Sequence, residues 1–120
     1  MKLKRSEADV LREVRRLLRA RGIAHCRRNV GSMKRDGRRI DFGMPGEADI
    51  EAWPKIPCST RLTYRIVVCY PTLWIECKRP GGKQSRDQRM FEQTVRQLGH
   101  AYLLVESAAE LEEWLERNLA

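Results

Sequence analysis

The chain has 120 residues, of which 42% are apolar, so its length and composition suit one compact domain rather than a disordered segment. Its 24 basic residues outnumber its 16 acidic ones and give a net charge of +8. No apolar run approaches the roughly 20 residues of a membrane span, and the basic N-terminus leads into an amphipathic segment rather than a secretory signal. We therefore expect an intracellular, cytoplasmic protein without membrane contacts.

The basic charge is concentrated near the N-terminus. Residues 1–40 carry 14 basic and 4 acidic side chains, whereas residues 106–120 carry 1 basic and 5 acidic ones. Arginine accounts for 18 of the 24 basic residues, and its planar guanidinium suits bidentate contacts with phosphate. This pattern favours a nucleic-acid partner, although charge alone is also compatible with an ordinary basic surface.

The four cysteines lack the spacing of a zinc site. Cys26, Cys58, Cys69 and Cys77 include no CxxC pair, and the chain has only two histidines. We expect no Cys/His metal site, and without an export signal we expect the thiols to stay reduced.

The first predicted element is an amphipathic helix. Ser6 and Asp9 have the spacing of a capping box, apolar residues recur at helical spacing over 10–18, and Gly22 provides the end of the helix.

Several strands are predicted to follow. The first covers 23–30 and precedes a basic, glycine-punctuated stretch at 31–46. A short strand at 48–53 stops before two prolines, and two further strands, at 62–70 and 72–77, are separated by a third proline.

A second helix is predicted after the Pro-Gly-Gly break at 80–82. Ser85 and Gln88 have capping-box spacing at its start, and Gly99 ends it. An apolar strand at 101–105 comes next.

The last helix is predicted to open with a third capping box, Ser107 and Glu110, and to bury Leu111, Trp114 and Leu115. The order of helix, several strands, helix, strand and helix, with no long linker, predicts a single α/β domain with a mixed sheet.

One strand carries an acid–x–lysine pattern that points to chemistry. Because alternate side chains of a strand share a face, Glu76 and Lys78 should project together while Ile75 and Cys77 point into the core. The strand ends at the Pro-Gly-Gly break, and strand ends that run into loops are common places for functional sites.

An acidic cluster precedes this strand. Glu47, Asp49 and Glu51 alternate along a predicted strand and would repel one another unless a cation neutralised them. An edge strand with a solvent-facing polar side is the alternative. If this strand pairs with the one carrying Glu76, the carboxylates converge on one hard cation such as Mg²⁺, and Lys78 can orient the attacking water and offset charge in the transition state.

Together these segments resemble a nuclease family. The runs Gly-Glu-Ala-Asp-Ile at 46–50, Ile-Glu-Cys-Lys at 75–78 and Ser-Arg-Asp-Gln at 85–88 are similar to those of the PD-(D/E)xK superfamily, in particular its virus-type replication-repair (VRR-NUC) domain. The resemblance spans nearly the whole chain. It implies a restriction-endonuclease-like fold, with a central mixed sheet flanked by helices in an αβββαβ core and a C-terminal helix, and cleavage of DNA with Mg²⁺ or, in its place, Mn²⁺.

The resemblance also implies roles for individual residues. Asp49 and Glu76 would bind the metal, with the backbone carbonyl of Cys77 and, more weakly, Glu7 as further ligands. Lys78 would be the catalytic lysine.

The chain departs from the family pattern in places. Ala48 stands where the family often has proline, which is no ligand. The segment at 50–75 is longer than in compact members and suggests an inserted hairpin at 54–70. Gln88 matches the glutamine that supports the active site, but its spacing from Ser85 gives it a capping role as an alternative.

Eight basic side chains are expected to contact DNA phosphates, the alternative being a solvated basic surface. They are Arg27, Arg28, Lys34, Arg35, Arg38, Arg39, Lys83 and Arg86.

The sequence thus predicts a magnesium-dependent endonuclease. Small stand-alone relatives resemble junction resolvases, and a small chain spans a branched substrate more readily as a pair. We therefore expect a homodimer that acts on branched or four-way junction DNA. The alternative is a non-catalytic nucleic-acid-binding module that uses the basic N-terminal third.

Overall fold

A computed structural model describes residues 4–28, 31–56, 58–62, 65–69 and 71–119 of the chain. Three helices and eight strands lie within these residues. In chain order they are α1 (Glu7–Ala20), β1 (His25–Arg27), β2 (Gly31–Arg35), β3 (Arg38–Phe42), β4 (Ile50–Ala52), β5 (Cys58–Leu62), β6 (Arg65–Cys69), β7 (Leu73–Cys77), α2 (Arg86–Gln97), β8 (Ala101–Val105) and α3 (Ala108–Asn118).

Four of the strands form one mixed sheet with the order β1-β4-β7-β8. The pairs β1–β4 and β4–β7 are antiparallel, and β7–β8 is parallel because α2 connects the two strands. The prediction of an α/β fold with a mixed sheet is therefore confirmed. Without the two hairpins described next, the element order is helix, three strands, helix, strand and helix.

Two separate hairpins interrupt this order. The hairpin of β2 and β3 lies in the basic stretch at 31–46, where the sequence predicts no strands. Its two central residues, Asp36 and Gly37, have φ values of 52° and 73°, as a type I′ turn requires. The second hairpin, of β5 and β6, lies between Asp49 and Glu76 and within the segment at 54–70 where an inserted hairpin is expected. The strand predicted at 62–70 corresponds to β6, and only its first residue belongs to β5.

The predicted strands at 23–30 and 48–53 are each only three residues long in the structure. Each is limited to the residues through which β1 and β4 pair with each other, from His25 opposite Ala52 to Arg27 opposite Ile50. Positions 29, 30, 63, 64 and 70 of the predicted strands, and the flanking proline at 57, lie outside the described residues.

The sheet is covered by helices on both faces. On one face α1 and α3 pack against alternate residues of the strands, including Ile50, Ile75 and Val105, all of which are buried. On the other face Phe91 and Val95 of α2 pack against Tyr102, with Trp74 at the margin. The ring of Phe91 meets that of Trp74 edge to face at 5.1 Å, a favourable aromatic geometry. Because both faces are covered, β7 is buried on both sides.

The predicted helix caps differ in how completely they form. Ser6 with Asp9 and Ser85 with Gln88 make full capping boxes. At α3 the Ser107 hydroxyl accepts from the amide of Glu110, but the Glu110 carboxylate accepts from the amide of Glu106 instead of that of Ser107. The third box is therefore only half formed. No helix within the described ranges has the length and apolar character needed to cross a membrane.

Candidate functional site

Pairing of β4 with β7 brings the two acidic motifs together. Ile50 lies opposite Ile75, so Asp49, one residue before β4, lies beside Glu76. The Cys77 amide donates to Oδ2 of Asp49 at 2.7 Å, which orients the aspartate toward Glu76. The convergence expected from the sequence if these strands paired is present.

A third carboxylate joins them from the first turn of α1. Oxygens of Glu7, Asp49 and Glu76 all lie within 4.8 Å of one another, close enough to share one metal ion. Glu7 is exposed, Asp49 is half-buried and Glu76 is buried. We call these three residues the acidic cluster.

One oxygen of Glu76 has no partner within the described chain. The residue is only 1% exposed, and its Oε1 accepts from the side-chain amide of Gln88 at 3.0 Å. With both acids ionised, its buried Oε2 accepts no hydrogen bond from any described residue. A proton on one of the two acids would let Glu76 and Asp49 share a hydrogen bond. A buried, unpaired carboxylate oxygen is costly, and a bound cation in the acidic cluster would satisfy it.

Burial raises the pKa values of both inner carboxyls. For Glu76 the main cause is burial, followed by the charge of Asp49, and the pKa rises to about 8 even though Lys78 opposes the shift. Burial likewise raises the pKa of Asp49, against the lowering effect of the Cys77 amide. At neutral pH and without a bound metal, Glu76 is therefore mostly protonated.

This raised pKa predicts that the metal-free protein loses stability as pH rises. Between the ordinary glutamate pKa and about 8 the folded protein binds more protons at Glu76 than the unfolded chain does. The free energy of unfolding therefore falls with increasing pH across that window. Thermal unfolding in EDTA should show a lower Tm at pH 8.5 than at pH 5.5, and Glu76→Gln should flatten the difference. A Tm that rises over this range in the parent would contradict the assignment.

Lys78 lies directly after β7 and points at the cluster. Its Nζ is 3.7 Å from Oε1 of Glu7 and 3.6 Å from Oε1 of Glu76. The side chain is 13% exposed, so its charge is largely desolvated and held near both acids. The side chains of Glu76 and Lys78 therefore lie together, as their alternation predicts. Cys77, between them, packs into the core formed with α1 and α3.

Gln88 both caps α2 and contacts Glu76. Its side-chain oxygen accepts from the Ser85 amide at 2.8 Å, as in a capping box. That contact needs the oxygen, because a backbone N–H only donates. The NH₂ group must then face Glu76, to which it donates at 3.0 Å. The helix cap thus fixes the orientation of the amide that holds Glu76.

Only one of the three alternating acids in the first motif belongs to the acidic cluster. Glu47 is bound by Nε of Arg28 at 2.8 Å, and Glu51 lies 3.8 Å from the same guanidinium. An arginine, rather than a metal ion, therefore balances these two carboxylates. The pairing raises the pKa of Arg28, chiefly through the hydrogen bond with Glu47. Its side chain is still 40% exposed.

Gly46 is a positioning residue that the sequence motif did not single out. Its φ is +74°. A Cβ at this position would collide with the backbone of Asp87 and lie 2.6 Å from the backbone nitrogen of Gln88. The loop before Asp49 therefore packs directly on the start of α2. The Pro45-Gly46 pair, typical of a turn, was the available signal.

The remaining basic residues belong to several elements. Lys34, Arg35, Arg38 and Arg39 are exposed around the turn of the β2–β3 hairpin. Arg27, exposed at the end of β1, lines a cleft of about 380 Å³ that reaches Asp49 and Gln88.

A larger cleft adjoins the acidic cluster elsewhere. It measures about 940 Å³ and is bordered by Glu7 and Lys78 together with Lys83. Arg86 is exposed in the first turn of α2. The acidic cluster therefore lies between two open clefts.

Comparisons with protein-family models, with curated proteins and with solved structures find no match to this chain. The resemblance to the VRR-NUC domain therefore stays a prediction.

Proposed function

We propose that this protein is a metal-dependent endonuclease that hydrolyses phosphodiester bonds of DNA, with Mg²⁺ as its cofactor and Mn²⁺ able to substitute. The observation that carries the proposal is the unpartnered, buried Oε2 of Glu76 within a cluster of three carboxylates. Hard oxygen ligands of this kind suit Mg²⁺, which commonly binds one or two carboxylates, waters and a substrate phosphate.

In this proposal Asp49 and Glu76 hold the metal, and Glu7 contributes from the exposed side. The backbone carbonyl of Cys77 is a further candidate ligand, since the Cys77 amide already contacts Asp49. When bound, the metal supplies Lewis-acid polarisation of the phosphate and lowers the pKa of a bound water.

The protein groups beside the acids have separate tasks. Lys78, less than 4 Å from two of the carboxylates, orients the attacking water and offsets the charge that develops on the phosphate oxygens. Gln88 holds the Glu76 carboxylate in place through its amide. This is a positioning role, since Gln88 acts through Glu76.

The arrangement of elements also supports the proposal. The order of α1, β1, β4, β7, α2, β8 and α3, with two hairpins added, has the αβββαβ core and C-terminal helix expected of a restriction-endonuclease-like fold. Asp49 lies directly before β4 and Glu76 lies in β7, the two central strands of the four-stranded sheet, where backbone pairing holds their relative positions.

The proposal extends to a branched substrate, such as a four-way junction, and to a homodimer. Its support is the resemblance to small junction-cleaving relatives. Light scattering would measure the oligomeric state, and cleavage of linear, flapped and four-way DNA of matched sequence would measure substrate selectivity. A monomer that cuts all three equally would remove this extension and leave the nuclease proposal intact.

The test of the nuclease proposal is a cleavage assay with purified protein and end-labelled DNA. Cleavage is expected with Mg²⁺ or Mn²⁺ and should stop in EDTA. The exposed basic residues also suit a non-catalytic nucleic-acid-binding module. The module would be favoured over the nuclease if the protein binds DNA but does not cut it with Mg²⁺ or Mn²⁺, and if Mg²⁺ does not raise its Tm.

A further inference from the structure

The larger cleft beside the acidic cluster is rich in positive charge. Its lining includes Lys4 before α1, Lys78 at the end of β7, and Arg79 and Lys83 in the connection to α2. Among the described residues that line it, Glu7 is the only acidic one. We call it the basic cleft.

Three of its cations are available to a ligand. Lys4, Arg79 and Lys83 are exposed and make no ion pair or side-chain hydrogen bond with any described residue. The other two cations are engaged, because Lys78 lies against Glu7 and Glu76 and a fifth lining residue, Arg5, pairs with Glu13 of α1.

A tight turn defines the floor of the basic cleft. The Gly82 amide donates to the carbonyl of Arg79 at 2.8 Å, and Gly81 has a φ of +81°. Proline at the second position and glycine with positive φ at the third are typical of a type II turn. The turn reverses the chain directly after Lys78, so Arg79 and Lys83 both line the cleft that Glu7 and Lys78 border.

The cleft on the Arg27 side is much less favourable to phosphate. It is lined by two arginines and by three carboxylates, those of Glu47, Asp49 and Asp87. One of the arginines, Arg28, is already bound to Glu47. The basic cleft is therefore the stronger attractor for a polyanion next to the acidic cluster.

We infer that the basic cleft binds a DNA backbone phosphate adjacent to the one that is cut, through Lys4, Arg79 and Lys83. This inference rests on the proposed nuclease function, because it places the scissile phosphate at the acidic cluster. Glu7 and Lys78 border both the cluster and the cleft, so a strand with one phosphate at the metal site continues directly into the basic cleft. Phosphate contacts of this kind set the register of a bound strand.

The test is DNA binding by a variant with Lys4→Ala, Arg79→Ala and Lys83→Ala. Fluorescence anisotropy with a short labelled duplex, in EDTA and over a range of KCl concentrations, gives affinity and salt dependence without hydrolysis. The logarithm of the DNA-binding constant falls linearly with the logarithm of the salt concentration. Loss of one phosphate contact should make this slope shallower by about 0.9. A second variant, Lys83→Ala alone, gives a milder change, and thermal unfolding checks that both variants are folded.

The control removes the same charge elsewhere. Arg16, Arg19 and Lys55 are exposed, make no ion pair among the described residues and do not line the basic cleft. Their combined replacement by Ala should change the salt slope little. We expect the cleft variant to bind about tenfold more weakly than this control, because charge-assisted hydrogen bonds to phosphate are removed. Equal affinity and equal slope in the two triple variants would overturn the inference.

The two proposals can fail independently. A parent protein that cuts DNA, with a cleft variant that binds like the control, would contradict the basic cleft alone. A parent protein that binds DNA through the cleft but never cuts it with Mg²⁺ or Mn²⁺ would support the phosphate contacts and contradict the nuclease.

Discussion

Glu76→Gln is expected to abolish cleavage while leaving the protein folded and, without metal, more stable at alkaline pH. Glutamine has the same shape, and its side-chain oxygen can still accept from Gln88, as Oε1 of Glu76 does at 3.0 Å. The new NH₂ group would replace the unpartnered Oε2 and donate to the nearby Asp49 carboxylate. The substitution therefore removes a metal ligand and a buried charge together. A purely structural Glu76 would not lose activity while gaining stability.

The matched variant is Asp49→Asn, whose remaining oxygen can accept from the Cys77 amide as Oδ2 does now. It should also be inactive. Single-turnover cleavage, together with Tm at pH 8.5 with and without Mg²⁺, would measure both effects. Mg²⁺ should raise the Tm of the parent, because the ion binds the ionised carboxylates of the folded protein. It should not raise the Tm of either variant, because each lacks one of the two carboxylates. If both variants cut DNA at the parental rate, the metal assignment is wrong.

Lys78→Ala is expected to lower the single-turnover rate by roughly two to three orders of magnitude, the usual loss for one preorganised electrostatic contact. Metal binding should persist, since Asp49 and Glu76 are unchanged. Without the ammonium group the pKa of Glu76 should rise further, because Lys78 is the charge that lowers it. The rate profile should therefore shift to higher pH.

Lys78→Arg separates a localised ammonium from diffuse positive charge. The side chain is 13% exposed and lies within 4 Å of two carboxylates, so a planar guanidinium would not fit the same contacts. The arginine variant should stay closer to Lys78→Ala than to the parent. Lys55→Ala, which removes an exposed lysine elsewhere, is the control. Near-parental cleavage by Lys78→Arg would show that only the positive charge is needed.

Local sequence signals succeeded where the determinant lies within a few residues. The capping boxes at Ser6 and Ser85 depend on contacts three residues apart, and both form as predicted. The Asp36-Gly37 turn is also local. Its Asp-Gly pair is the usual hairpin signal, but the surrounding stretch at 31–46 is basic rather than apolar and therefore does not resemble a pair of strands.

Which charges would meet was harder to predict. Alternation correctly placed Asp49 and Glu76 on sides of their strands that could converge, because the side-chain period of a strand is a local property. It also grouped Glu47 and Glu51 with Asp49, but both acids lie against Arg28. Arg28 follows β1, and the pairing of β1 with β4 sets its distance from them.

The sequence by itself determined the helices, the α/β class and the shared face of Glu76 and Lys78, because periodicity, capping and strand alternation are local. Glu7 lies 42 positions before Asp49 in the chain, and only the family resemblance suggested it, weakly, as a partner of Asp49 and Glu76. The tertiary structure brings it within 4.8 Å of both. The tertiary structure also pairs Arg28 with Glu47. It places Lys4, Arg79 and Lys83 along one cleft. These contacts depend on strand register and on the packing of helices against the sheet, which join residues distant in the chain and leave no local pattern.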